Sequence, residues 1–195
     1  MAAPPGRIAV AAELQVKLVG GHFAPCFLLP ATATILDVKL LFHNTYGISL
    51  SRLSVSLLTR PGVGLTDDSV LLHLIVHAGN NLRFASPHTH IVFHLAVAPR
   101  AGPIAVTVTQ SEELPPPHMA GYFRRMRPAE IQCPSESITC WELMQLVGRA
   151  WGLHTHEFRL YYAGMELTPY LMLDRYYITH NSVIEAQVSQ IYMTG

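Results

Sequence analysis

The 195-residue chain is predicted to be α+β, built as two small units in tandem, each a sheet packed on one main helix. Three observations predict this. Half of the residues are apolar, enough for packed cores and too many for a disordered chain. A capped helical pattern occurs once in each half. Segments with strand-like alternation flank both copies.

The two helices are the clearest elements. "TILDVKLLFHNTYGI" (Thr34 to Ile48) and "TCWELMQLVGRAWGL" (Thr139 to Leu153) each begin with a threonine, carry an acid three residues later (Asp37, Glu142) and reach a glycine (Gly47, Gly152). The threonine hydroxyl can accept an orphan amide, the acid can reciprocate at the positive end of the helix, and the glycine can adopt the left-handed conformation that ends it. In the second helix Cys140, Leu143, Val147 and Ala150 or Trp151 follow the helical period as a buried stripe; in the first, Thr34, Val38, Phe42 and Tyr46 lie near one another, with Ile35, Leu36 and Leu41 widening the apolar side.

Strands surround each helix. "LQVKL" (Leu14 to Leu18), a Gly-Gly turn and "FAPCFLL" (Phe23 to Leu29) read as a hairpin, and "LSVSLL" (Leu53 to Leu58) follows the first helix. "PGVGLTDDSVLLHLIVHAGNNLRF" (Pro61 to Phe84) fits the pattern poorly, and the closing strand is "NLRF" or, preferably, "HIVFHLAV" (His90 to Val97). In the second half "IAVTVT" and "EIQC" (Glu130 to Cys133) form the hairpin, "EFRLYY" (Glu157 to Tyr162) follows the helix and "SVIEAQV" (Ser182 to Val188) closes the sheet. Both halves read ββαββ. The expected boundaries are a first, divergent domain over 1–99, a second over 100–188 with a proline-rich insertion at 110–129, and a tail over 189–195.

Thirteen basic and thirteen acidic residues leave no overall field that would gather nucleic acid or an anionic membrane. No apolar run approaches the ~20 residues of a membrane span, and the first residues lack a signal-peptide pattern. A cytoplasmic monomer is expected. Cys26, Cys133 and Cys140 are odd in number and lack CxxC spacing, which indicates neither a disulfide framework nor a zinc cluster.

His88, His90 and His94 share one face of a strand, and His73 with His77 one face of a helix, yet neither set has an acidic or cysteine partner at short spacing, so no metal and no cofactor are expected. Cys140 opens a helix, where the dipole could lower its pKa, but it belongs to the buried stripe. Catalytic motifs and phosphate loops are absent, and the chain is not expected to be an enzyme. "YFRRMR" (Tyr122 to Arg127) gathers Arg124, Arg125 and Arg127 beside two aromatics; it reads as a protein contact or a solvated loop before a nucleic-acid site.

The second half resembles the ubiquitin family. The resemblance rests on Thr139, on Gly152-Leu153, on "FRLYYAGMEL" (Phe158 to Leu167) and on Leu173 with "DRYYITHNSVIEAQV" (Asp174 to Val188), and the first half is similar more loosely. It implies two β-grasp domains in tandem, each a mixed sheet packed on one main helix. Members of the family offer a surface patch to partners, which the resemblance places here at Tyr161, Ala163, Gly164, Met165 and Gln187; the aromatic Tyr161 and polar Gln187 alter its character. The family also uses a terminal glycine whose carboxylate is activated and transferred to amines. Gly195 stands at that place without the usual double glycine or arginines.

Two-domain ubiquitin-like modifiers of the interferon-induced and bacterial antiphage types are similar in arrangement. They imply dedicated activating and conjugating enzymes, a deconjugating protease, target proteins and a role in antiviral defence. The alternative is a scaffold or adaptor that is never conjugated and binds through Tyr161 and the 122–127 segment. Lys17 and Lys39 are the only lysines, so a modifier of this sequence would have few acceptors for self-polymers.

Overall fold

The computed structural model describes residues 13–77, 89–111 and 125–189. The chain divides into two compact units, with the main change at Ala98–Pro99. In the first, β1 (Glu13–Val19) and β2 (Cys26–Pro30) form a hairpin, followed by α1 (Ile35–Tyr46), β3 (Leu53–Leu57), α2 (Leu71–His77) and β4 (Thr89–Val97). The sheet order is β2-β1-β4-β3, with β1 and β4 parallel and the other pairs antiparallel. Leu14, Val16 and Leu18 alternate inward with Phe93 and Leu95, and the core they share with Ile35, Val38 and Phe42 is fully buried.

Two first-unit expectations shift. The second hairpin strand begins at Cys26, later than Phe23, because Pro25 has no amide to donate to a ladder; its carbonyl accepts from the Leu18 amide at 2.9 Å instead. The preferred closing strand is the one formed, as β4. Gly20 lies so close to β4 that a Cβ added there would stand 2.0 Å from the Leu95 carbonyl oxygen.

In the second unit β5 (Ile104–Gln110) and β6 (Ala129–Cys133) precede α3 (Cys140–Trp151), β7 (Phe158–Tyr162), β8 (Met165–Glu166), a 3-10 turn at Leu173–Tyr176 and β9 (Val183–Val188). The order is β6-β5-β9-β7-β8 with β5 and β9 parallel at the centre. Val106, Val108, Leu143, Val147, Phe158, Leu160, Ile184 and Ala186 fill the core. Burying each large aliphatic side chain contributes about 1.5–3 kcal/mol.

Both helix starts are capping boxes. Asp37 and Glu142 accept from the amides of Thr34 (2.7 Å) and Thr139 (2.8 Å), and the threonine hydroxyls accept in return from the amides of Asp37 (3.3 Å) and Glu142 (3.2 Å). Gly47 and Gly152 follow the last helical residues at φ +70° and +66°. The first free amides of each helix are then taken by a loop far along the chain. Ile35 and Leu36 donate to Ser69 and Asp67 (both 3.0 Å), while Cys140 and Trp141 donate to Leu171 (2.8 Å) and Pro169 (2.9 Å).

That shared stitching shows the repeat to extend through the segment that fitted worst. "LTDDSVL" (Leu65 to Leu71) and "LTPYLML" (Leu167 to Leu173) occupy equivalent places. Leu65 and Leu167 donate to Val55 and Leu160 of the preceding strands, Ser69 and Leu171 donate to Thr66 and Thr168, and Leu71 and Leu173 donate to Ala33 and Ile138 before the helix and are wholly buried. The architecture is α+β, two separate mixed sheets each with its helix, loosely consistent with two β-grasp-like lobes. Among the described residues, no helix is long and apolar enough to cross a membrane.

Candidate partner-binding surface

In the second unit, alternation sends Phe158, Leu160 and Tyr162 of β7 into the core and leaves Arg159 and Tyr161 on the opposite sheet face. The register places Tyr161 between Glu166 on β8 and Glu185 on β9, and Arg159 opposite Gln187. The Tyr161 hydroxyl donates to the Gln187 side-chain oxygen at 3.2 Å, and Arg159 Nη1 reaches both Glu166 carboxylate oxygens at 2.9 and 3.1 Å. Glu130, Gln132, Thr107 and Thr109 continue this face across β6 and β5. It is a mostly polar surface that carries the Tyr161 ring on β7 and the exposed side chain of Val183 on β9. That ion pair is exposed on both sides, so it orients Arg159 more than it stabilises the fold.

Ala163 and Gly164 form the two-residue turn between β7 and β8, at φ +50° and +77°. Positive φ at both positions is the type I′ geometry that matches strand twist. Alanine in that conformation is uncommon. Met165 pairs with Tyr162, so the register puts it on the core-facing side, apart from Tyr161. In the first unit Ser56 holds the place of Tyr161 and is buried, so the aromatic centre is peculiar to the second unit.

Arg125 and Arg127 are exposed in the stretch leading to β6, while Arg124 and Gly195 lie outside the described residues. This stretch is held from both sides: the Met126 amide donates to Gln110 Oε1 at 2.7 Å, and Trp151 Nε1 donates to the Arg127 carbonyl at 3.1 Å. Because β6 and β7 are separated by β5 and β9, the arginines stand roughly 14 Å or more from Tyr161. They do not form one site.

The two buried thiols are poorly placed to act as nucleophiles. Burial pushes Cys133 up to about 11 and Cys140 up to about 12, so at the start of α3 desolvation outweighs the helix dipole. Cys26 is exposed. Among the described residues no group of three His, Cys, Asp or Glu could hold a metal ion, and His88 lies outside them.

The chain is similar to the ubiquitin-like domain of an Arabidopsis thaliana protein solved by solution NMR. The two are 21% identical over 49% of this chain and 86% of that one, with a TM-score of 0.38, a distant and partial structural match. No family model and no curated protein matches the chain.

Proposed function

We propose that this chain is a non-catalytic adaptor built from two ubiquitin-like β-grasp domains, whose second domain grips a protein partner through the sheet face around Tyr161. The observation that carries the reading is that face. Its helix-free side presents a positioned aromatic ring, tied to Gln187 and bordered by the Arg159–Glu166 pair, where the first unit has a buried serine. Rigid aromatic rings are favoured anchors because little rotamer freedom is lost on binding, and the polar surround suits a reversible contact. The duplicated stitching of helix to distant loop supports a tandem fold.

The modifier reading requires covalent chemistry at Gly195 and rests on the sequence resemblance. Affinity capture with the full chain, Tyr161→Ala and a variant lacking Gly195 separates the two. An adaptor recovers partners that a denaturing wash removes, that Tyr161→Ala loses and that the Gly195 deletion retains. Higher-mass adducts that survive denaturation and vanish without Gly195 would overturn the adaptor reading.

A further inference from the structure

The opposite side of the second unit carries another feature. Trp141, Gln145 and Arg149 recur at four-residue intervals along the outer surface of α3, and with His154 and His156 of the following loop they border an open groove of about 420 Å³. Gly148 and Gly152 leave its floor low. Gly148 cannot carry a Cβ, which would stand 2.6 Å from the Leu153 carbonyl oxygen, so the loop lies directly against the helix. Trp141 is 44% exposed although it is among the largest apolar side chains, and the imidazoles of His154 and His156 stack with centroids 5.5 Å apart and planes 11° from parallel.

Among the described residues that line this groove, Arg149 carries the charge. Arg149 is exposed and makes no ion pair among the described residues, and exposed Arg127 is tied to the same helix end through Trp151. Among the described residues no carboxylate lines the groove. Two acids adjoin lining residues in sequence: Glu157, beside His156, turns its carboxylate to the His154 backbone amide, and Glu142, beside Trp141, is held in the capping box at the start of α3. The Gly148 carbonyl is satisfied by the amides of Gly152 and Leu153, so this negative end of the helix is partly covered.

We infer that this groove docks an acidic segment of a partner protein, with a partner carboxylate on Arg149, imidazole N–H groups as further donors and an apolar side chain against Trp141. Such a segment would supply a carboxylate for Arg149 and cover the indole. The inference does not depend on the sheet face around Tyr161, which lies on the other side of the unit.

The test uses the full chain and an N-acetylated peptide of glutamates flanking two leucines, with the glutamine-for-glutamate peptide as control. Titration should move the indole N–H resonance of Trp141 saturably and leave that of buried Trp151 in place. Binding should weaken as salt is added, fall roughly tenfold or more with Arg149→Glu, fall with Trp141→Ala and be unchanged with Tyr161→Ala. Both substituted side chains are exposed, and an unchanged Trp151 resonance reports that Arg149→Glu is folded. A Trp141 signal that does not move, equal binding of the glutamine peptide, or full binding by Arg149→Glu overturns the inference.

Discussion

Cys140 shows how a single residue can carry two opposed tendencies. It opens a helix, where the dipole favours the thiolate, yet it is wholly buried, and burial prevails. In the native chain iodoacetamide near neutral pH should therefore alkylate exposed Cys26 and leave Cys133 and Cys140 unmodified, as read by peptide mass spectrometry; rapid labelling of Cys140 would contradict the packing described. Gly148 makes a steric argument of the same kind. Gly148→Ala should lower stability by about 1–3 kcal/mol through the clash with the Leu153 carbonyl, measurable by urea unfolding. Neither glycine contact was legible from the chain alone, because close approach depends on which backbone arrives from elsewhere.

Among the elements, the helices were read most completely, since cap, acid, apolar stripe and terminal glycine all lie within a few consecutive residues. Thr139→Ala should cost about 1 kcal/mol in chemical denaturation. The loop over Leu65 to Leu71 is hard to read from the sequence, because its role is to satisfy amides of a helix some thirty residues earlier. The signal available was the shared "LT" followed five residues later by leucine, in both halves. Glu136 is another long-range part: 2% exposed, it accepts from the Thr179 hydroxyl and, at 3.2 Å, from the backbone amide of Arg100. Removing this carboxylate in Glu136→Ala should release the backbone at Arg100, so limited trypsin digestion should cut after Arg100 faster than in the unaltered chain; an unchanged rate would show that the bond does not restrain the backbone there. Of the surface around Tyr161, the sequence placed the ring and its Gln187 partner, but the pairing that separates Met165 from them depends on strand register.

For the whole molecule, acid is the informative variable. The Thr34 and Thr139 hydrogen bonds hold the carboxyls of Asp37 and Glu142 below their usual range. Their contribution to stability is fully present above the unfolded values near ~4 and is lost as pH falls through the lowered folded values. Denaturant midpoints should fall in that acid range, and a Thr34→Val, Thr139→Val variant should lose less there; the effect is small because both carboxylates face water. The chain's two lysines have a different consequence. Lys39 is 12% exposed and bound to Asp67 at 2.7 Å, whereas Lys17 stands outward on β1, and the second unit has no lysine at all. Amine-reactive dyes should thus mark the lysine side chains of this protein chiefly at one position, giving a fluorophore in the first unit while leaving both proposed binding faces of the second chemically untouched.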